Sequence, residues 1–238
     1  MTPFECVGFP FLTDEDFDEL VPATLEKMMP EAKRLPCPAG AEGWSYRDPS
    51  GAGILAYTAK DEETGHRRLQ CLKPVFYGGS RQAVTAGRLV EAEDCPYCDV
   101  ARVTVHDAAG AEAHPLVVRF SDPEFRRFSW KEGKRGHLQS TLFATAIGPE
   151  AGDHPGEGFF PTGALTDPPR PEAALAGRVV HSHRRSNDLG GGKFIWAQVA
   201  TPAAEYDVVV PYALLPSTPA PGSVLRASGK VYARWFRE

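Results

Sequence analysis

Cys95-Pro96-Tyr97-Cys98 is the pair of side chains best spaced for chemistry. A Cys-x-x-Cys serves as a redox dithiol when its first thiolate sits at a helix N-terminus, or as half of a zinc site when a second close pair completes it. The residues that follow, DVARVTVHD, alternate as a strand does, so the helix that a redox pair needs is not indicated. Cys37, Cys71, His66 and His106 are the other zinc-ligand types considered, and none forms a second knuckle. The expectation is a turn carrying two reduced cysteines. Zinc at Cys95 and Cys98 is the metal alternative, and no other cofactor is implied.

His181-Ser182-His183 is the second constellation. On a strand, the period of two places both imidazoles on one face, where they can share a metal. Arg184 and Arg185 follow at once, and their charge disfavours another cation. The same stretch continues through Gly190-Gly191-Gly192 to Lys193, Phe194 and Trp196. A strand follows this glycine run, so it reads as a hairpin turn and lacks the helix N-terminus that phosphate cradling requires. The mixture of basic and aromatic residues at His181, His183, Arg184, Arg185, Lys193, Phe194 and Trp196 suits a binding surface, including one for single-stranded nucleic acid. No spacing marks a nucleophile with its base, so an enzyme is not indicated.

The elements that must position these groups follow from periodicity. Thr13 reads as the N-cap of a helix whose first turn is acidic (Asp14, Glu15, Asp16); Phe17, Leu20, Val21, Leu25, Met28 and Met29 form its apolar face. Pro22 can restart the helix, and Pro30 ends it. Short alternating stretches then predict a meander of strands through WSYR, Ile54–Thr58, Arg68–Leu72, QAVTAGRLVEAE, CDVARVTVHD and HPLVVRFSD. Gly136–Gly148 is read as a strand or a short helix. A Pro-rich stretch around TDPPRPEAALAG marks a linker.

The fold class expected is α+β. Residues 1–166 form a strand-rich N-terminal domain with one or two helices, 167–176 a Pro-rich linker, and 177–238 a small OB-like antiparallel β-barrel module. Five short strands are expected in that module: Arg178–His183, Lys193–Thr201, Glu205–Val210, Val224–Ala227 and Lys230–Trp235. In the second of these, Phe194 and Trp196 share one face while Ile195, Ala197 and Val199 share the other.

At 238 residues the chain has room for two domains, and 42% hydrophobic residues supply a core. With 23 Gly and 22 Pro, short strands and many turns are expected. The net charge of −5 is uneven. From Leu175 onward eight Lys/Arg face four acids, giving +4, while the remainder holds 18 basic and 27 acidic residues, giving −9. Such parts attract each other or steer an anionic partner to one end. Five irregularly spaced cysteines do not resemble a secreted disulfide framework, and neither a signal peptide nor an 18-residue apolar run is read. A cytoplasmic location without membrane contact is expected.

GFPFLTDEDFDEL, KPVFYGGS, GFFPTGAL and the frame Gly177, Asn187, Gly190–Gly192, Phe194, Trp196 and Asp207–Val209 together resemble a recurrent bacterial protein family that has no assigned function. The resemblance spans nearly the whole chain and brings no catalytic residues. Its pattern more often carries Pro-His-Phe where this chain has Pro74-Val75-Phe76, which argues against a chemical role there. The function expected is non-catalytic binding to a protein partner or within a homo-oligomer. Single-stranded nucleic acid is the alternative ligand, and a metal- or thiol-dependent protein using Cys95 and Cys98 is the second alternative.

Overall fold

Thr13 opens the helix by satisfying two backbone donors reciprocally. Its hydroxyl accepts from the Asp16 amide at 3.1 Å, and the Asp16 carboxylate accepts from the Thr13 amide at 2.9 Å. The helix, α1, spans Asp14–Met28. It runs through Pro22 without restarting there; Pro22 is exposed, so the carbonyl it fails to engage faces water. Val21 and Met28 are buried on the inner face, with Phe17, Leu20 and Leu25 packed beside them.

The computed structural model describes residues 1–11, 13–35, 37, 40–61, 63–91, 99–121, 130–152 and 156–236. Cys95 and Cys98 lie outside the described residues. Among the described residues thirteen strands follow one another: β1 Lys33–Leu35, β2 Ala41–Arg47, β3 Ala52–Lys60, β4 Arg67–Phe76, β5 Gln82–Glu91, β6 Asp99–His106, β7 Glu112–Phe120, β8 Arg135–Ile147, β9 Gly158–Phe160, β10 Glu172–Ser186, β11 Lys193–Ala200, β12 Glu205–Pro211 and β13 Val224–Phe236. One α-helix and two sheets among the described residues agree with the α+β class. Among the described residues no helix is long and apolar enough to cross a membrane.

β1 to β4 form an antiparallel sheet in chain order. The other nine strands form the second sheet, whose pairings return on themselves twice. β8 pairs with β12, β12 with β11, β11 with β10, β10 with β13 and β13 with β8. β8 also pairs with β5, β5 with β6, β6 with β7, and β7 with β13. Two rings of pairings therefore share β8 and β13.

The last quarter differs from the five-strand expectation at Ser228-Gly229. Val224–Ala227 and Lys230–Trp235 are one continuous strand, β13, with a register shift at those two residues. Gly229 is needed by contact, because a Cβ there would overlap the Phe143 carbonyl. The fifth strand of the ring is β8, which lies outside the module expected at residues 177–238. Residues 172–176, expected as linker, are the start of β10 and pair with β13 and β9.

Burial follows the period of two. Ile195, Ala197, Val199, Tyr206, Val208, Val210, Leu142 and Val231 share one core with β5–β7. Phe194, Val209, Phe143 and Tyr232 face the opposite way, into a second core with Phe9, Phe11, α1, Ile54 and Phe76. Phe194 is fully buried and packs edge-on against Phe76 at 6.1 Å.

The glycine run at the β10–β11 hairpin docks this assembly. Buried Asn187 donates from Nδ2 to the Val7 carbonyl at 2.7 Å and accepts from the Gly190 amide at 2.9 Å. The Gly192 amide donates to the Gly8 carbonyl at 3.0 Å. Gly8 has φ +76°, and a Cβ on it would sit 2.7 Å from the Gly192 oxygen. Replacing Gly8 by Ala is expected to lose about 2–4 kcal/mol from backbone strain and contact together. Gly79→Ala, which meets nothing within 4 Å, should stay within about 0.5 kcal/mol of the parent. Urea midpoints at constant m-value measure both.

His114 on β7 donates to or accepts from the Tyr206 hydroxyl at 2.8 Å and stacks on Phe159 at 5.4 Å. Burial holds its imidazole below the ordinary value, so the folded state binds fewer protons than the unfolded chain in that range. The stability this contributes is present above the unfolded value of about 6.5 and is lost as pH falls through the lowered one. Urea melts from pH 7.5 to 5 should show this slope in the parent and a smaller one in His114→Gln.

Candidate functional site

Asp207, on β12, is a fully buried carboxylate surrounded by donors. Its Oδ1 accepts from Trp196 Nε1 at 2.8 Å; its Oδ2 accepts from the Ser80 amide at 3.0 Å and the Ser80 hydroxyl at 2.7 Å, with Gln139 Nε2 at 3.5 Å. Three strong donors offset the cost of burying the charge. The carboxylate thereby clamps the loop Tyr77-Gly78-Gly79-Ser80, which joins the two sheets, onto β11 and β12. Gly78 has no side chain because a Cβ would overlap the Asp207 carboxylate.

The clamped loop carries an arginine–aromatic surface. The Arg47 guanidinium carbon lies 4.9 Å from the Tyr77 ring centre, and that of Arg234 lies 4.5 Å from the same ring. Arg234 also lies 5.4 Å from the Phe236 ring centre, over which Arg81 sits at 3.9 Å. Arg47, Tyr77, Arg234, Phe236 and Arg81 thus form a continuous row. Beside it, Trp196 is stacked by His183 at 5.7 Å and 12° and by Arg185 at 4.4 Å, with Arg185 also 5.6 Å from Phe76.

β13 supplies Tyr232, Arg234 and Phe236 at a period of two: Tyr232 goes to the buried end and the other two to the row, while Trp235 joins the opposite core. Ser45 Oγ and the Tyr77 hydroxyl share a hydrogen bond of 2.8 Å, fixing the ring. Arg185 donates to the Ser50 carbonyl, and Arg81 to the Ser80 carbonyl at 2.7 Å.

Arg47, Arg81, Arg185 and Arg234 make no ion pair with a carboxylate among the described residues. Burial lowers the proton affinity of Arg81 and repulsion from Arg234 lowers it further, while Asp207 opposes both. Arg185 is lowered by burial and raised by Asp207. Arg234 Nε is buried and has no acceptor among the described residues. Like charges gathered around shared rings, without carboxylate partners among the described residues, make a surface suited to an anionic group.

The residues expected at the site divide. His183, Arg185 and Trp196 belong to this surface. Phe194 lies beneath it in the second core. His181 and Lys193 are exposed, and Arg184 lies over Tyr212 at 5.8 Å, on the other side of β10. His181 and His183 form no metal cluster, and no three His, Cys, Asp or Glu side chains converge among the described residues. Sequence reading missed Arg47, Tyr77, Arg81, Arg234 and Phe236. The alternation in Tyr232-Ala233-Arg234-Trp235-Phe236 was the available signal, since one face carries Arg between two aromatics.

Asp207→Asn places an amide where the carboxylate accepts on both sides, so at least one donor loses its acceptor. It should cost about 2–3 kcal/mol in urea denaturation and red-shift the Trp196 emission. Unchanged stability and spectrum would remove Asp207 as the clamp.

Compared with protein-family models, curated proteins and solved structures, the chain matches none.

Proposed function

We propose that this is a non-catalytic binding protein that receives a protein partner, or a second copy of itself, on the face formed by Arg47, Tyr77, Arg81, Arg185, Trp196, Arg234 and Phe236. The observation that carries this reading is the set of four arginines held against aromatic rings without carboxylate partners among the described residues. Ring stacking restrains long side chains that would otherwise lose rotamer freedom on binding, so the face is organised in advance. Arginine with Trp and Tyr is also the composition that dominates binding energy at protein interfaces.

A second reading is single-stranded nucleic acid on an OB-like C-terminal module. The ring of pairings through β8, β10, β11, β12 and β13 favours it, together with the charge of +4 from Leu175 onward.

Charge reversal at Arg47 and Arg81, the two exposed arginines of this face, separates the possibilities. Tagged parent protein, the Arg47→Glu/Arg81→Glu double variant and the control Lys60→Glu are expressed in the native host and purified. The expected result is a partner that accompanies the parent and the control and is lost from the double variant; light scattering identifies a self-complex. Equal retention by all three, or a monomer with no companion, overturns the proposal. Salt-dependent binding of labelled oligothymidylate that the double variant abolishes would favour the second reading.

A further inference from the structure

We infer that the ligand of this face is an acidic peptide segment, held through its carboxylates by the N–H edges of Arg47, Arg234 and Arg81; the inference rests on the binding role proposed above. The rings themselves are already engaged. Tyr77 carries Arg47 and Arg234, Phe236 carries Arg234 and Arg81, and Trp196 carries His183 and Arg185. Rings covered in this way do not serve as platforms for nucleobases, which single-strand binding uses. What the row offers outward is guanidinium edges.

Those edges match one chemistry well. A guanidinium stacked flat on a ring keeps its in-plane donors, and two parallel N–H groups fit the two oxygens of a carboxylate. Arg47 and Arg81 are exposed, and Arg81 uses one Nη on the Ser80 carbonyl. An extended peptide projects alternate side chains to one side about every 7 Å. Arg47 and Arg234 share the Tyr77 ring, and Arg234 and Arg81 share the Phe236 ring, so the guanidinium groups follow one another along the row. A segment with acidic residues at alternate positions presents successive carboxylates to such a row.

Long-range electrostatics point the same way. Asp207 lies under the row and offsets part of its charge, and the whole chain carries −5. A long polyanion meets that net repulsion at a distance, whereas a short acidic segment gains from paired hydrogen bonds at contact.

The test uses a fluorescein-labelled peptide of alternating glutamate and serine and an oligothymidylate of equal charge, titrated with the full chain in fluorescence anisotropy. The variants are Arg47→Lys and Arg81→Lys, which keep the charge and remove the fork, with Lys60→Ala as the control; circular dichroism verifies their folding. The peptide should bind more tightly than the oligonucleotide, each Lys variant should weaken it about fivefold or more, and the control should leave it unchanged. No peptide binding, or Lys variants that bind like the parent, overturns the acidic-peptide assignment. Oligothymidylate binding lost in Arg47→Lys and Arg81→Lys, without peptide binding, overturns the ligand class and leaves the face as a binding site. If neither probe binds and the partner of the parent protein also remains on the Arg47→Glu/Arg81→Glu variant, both the ligand class and the face fall.

Discussion

The buried carboxylate of Asp207 is the constraint on which the recognition face depends. It holds the Trp196 indole from one side and Ser80 from the other, so β11, β12 and the loop between the two sheets share one anchor. A charge at that depth is tolerated only because N–H and O–H donors converge on it. The consequence is geometric. Tyr77 and Arg81 flank the anchored residues closely in the chain, and Arg185 and His183 stack on the anchored indole.

A second constraint joins the two sheets at the other end of the β10–β11 hairpin. Gly190 and Gly192 let the turn approach Gly8 until backbone meets backbone, and Asn187 bonds across the gap to Val7. The Asp188 amide adds a bond of 2.9 Å to Asp48 in the β2–β3 turn. The N-terminal segment is thereby fixed over the face of β11 that carries Phe194. The aromatic side of that strand is therefore mostly core, and only Trp196 reaches the rim.

Much of the fold was legible in residue order. The cap at Thr13, the apolar stripe of α1 and the alternation of β6 and β7 are local, and local periodicity reports them. The separation of Ile195, Ala197 and Val199 from Phe194 and Trp196 onto opposite faces of β11 was legible for the same reason, whereas which face is covered was not. Ser228-Gly229 was left as a break between two strands because a glycine required by a close backbone approach looks the same in sequence as one required by a bend. Pro168, Pro169 and Pro171 were read as part of a linker over residues 167–176, but residues 172–176 pair with β13, which the composition around them concealed.

The chain order alone decided the helix, most of the strands, the polarity of the charge and the type of turn at Gly190–Gly192, because each depends on neighbours a few residues apart. The burial of Phe194, the sharing of β8 and β13 by two rings, and the row from Arg47 to Arg81 came from folding. Their parts lie on β2, the β4–β5 connection and β13, separated by long stretches of chain, and no local period relates them. Contacts made across such distances are set by which strands pair and which faces are covered. Pairing and coverage turned scattered arginines and aromatic rings into one surface.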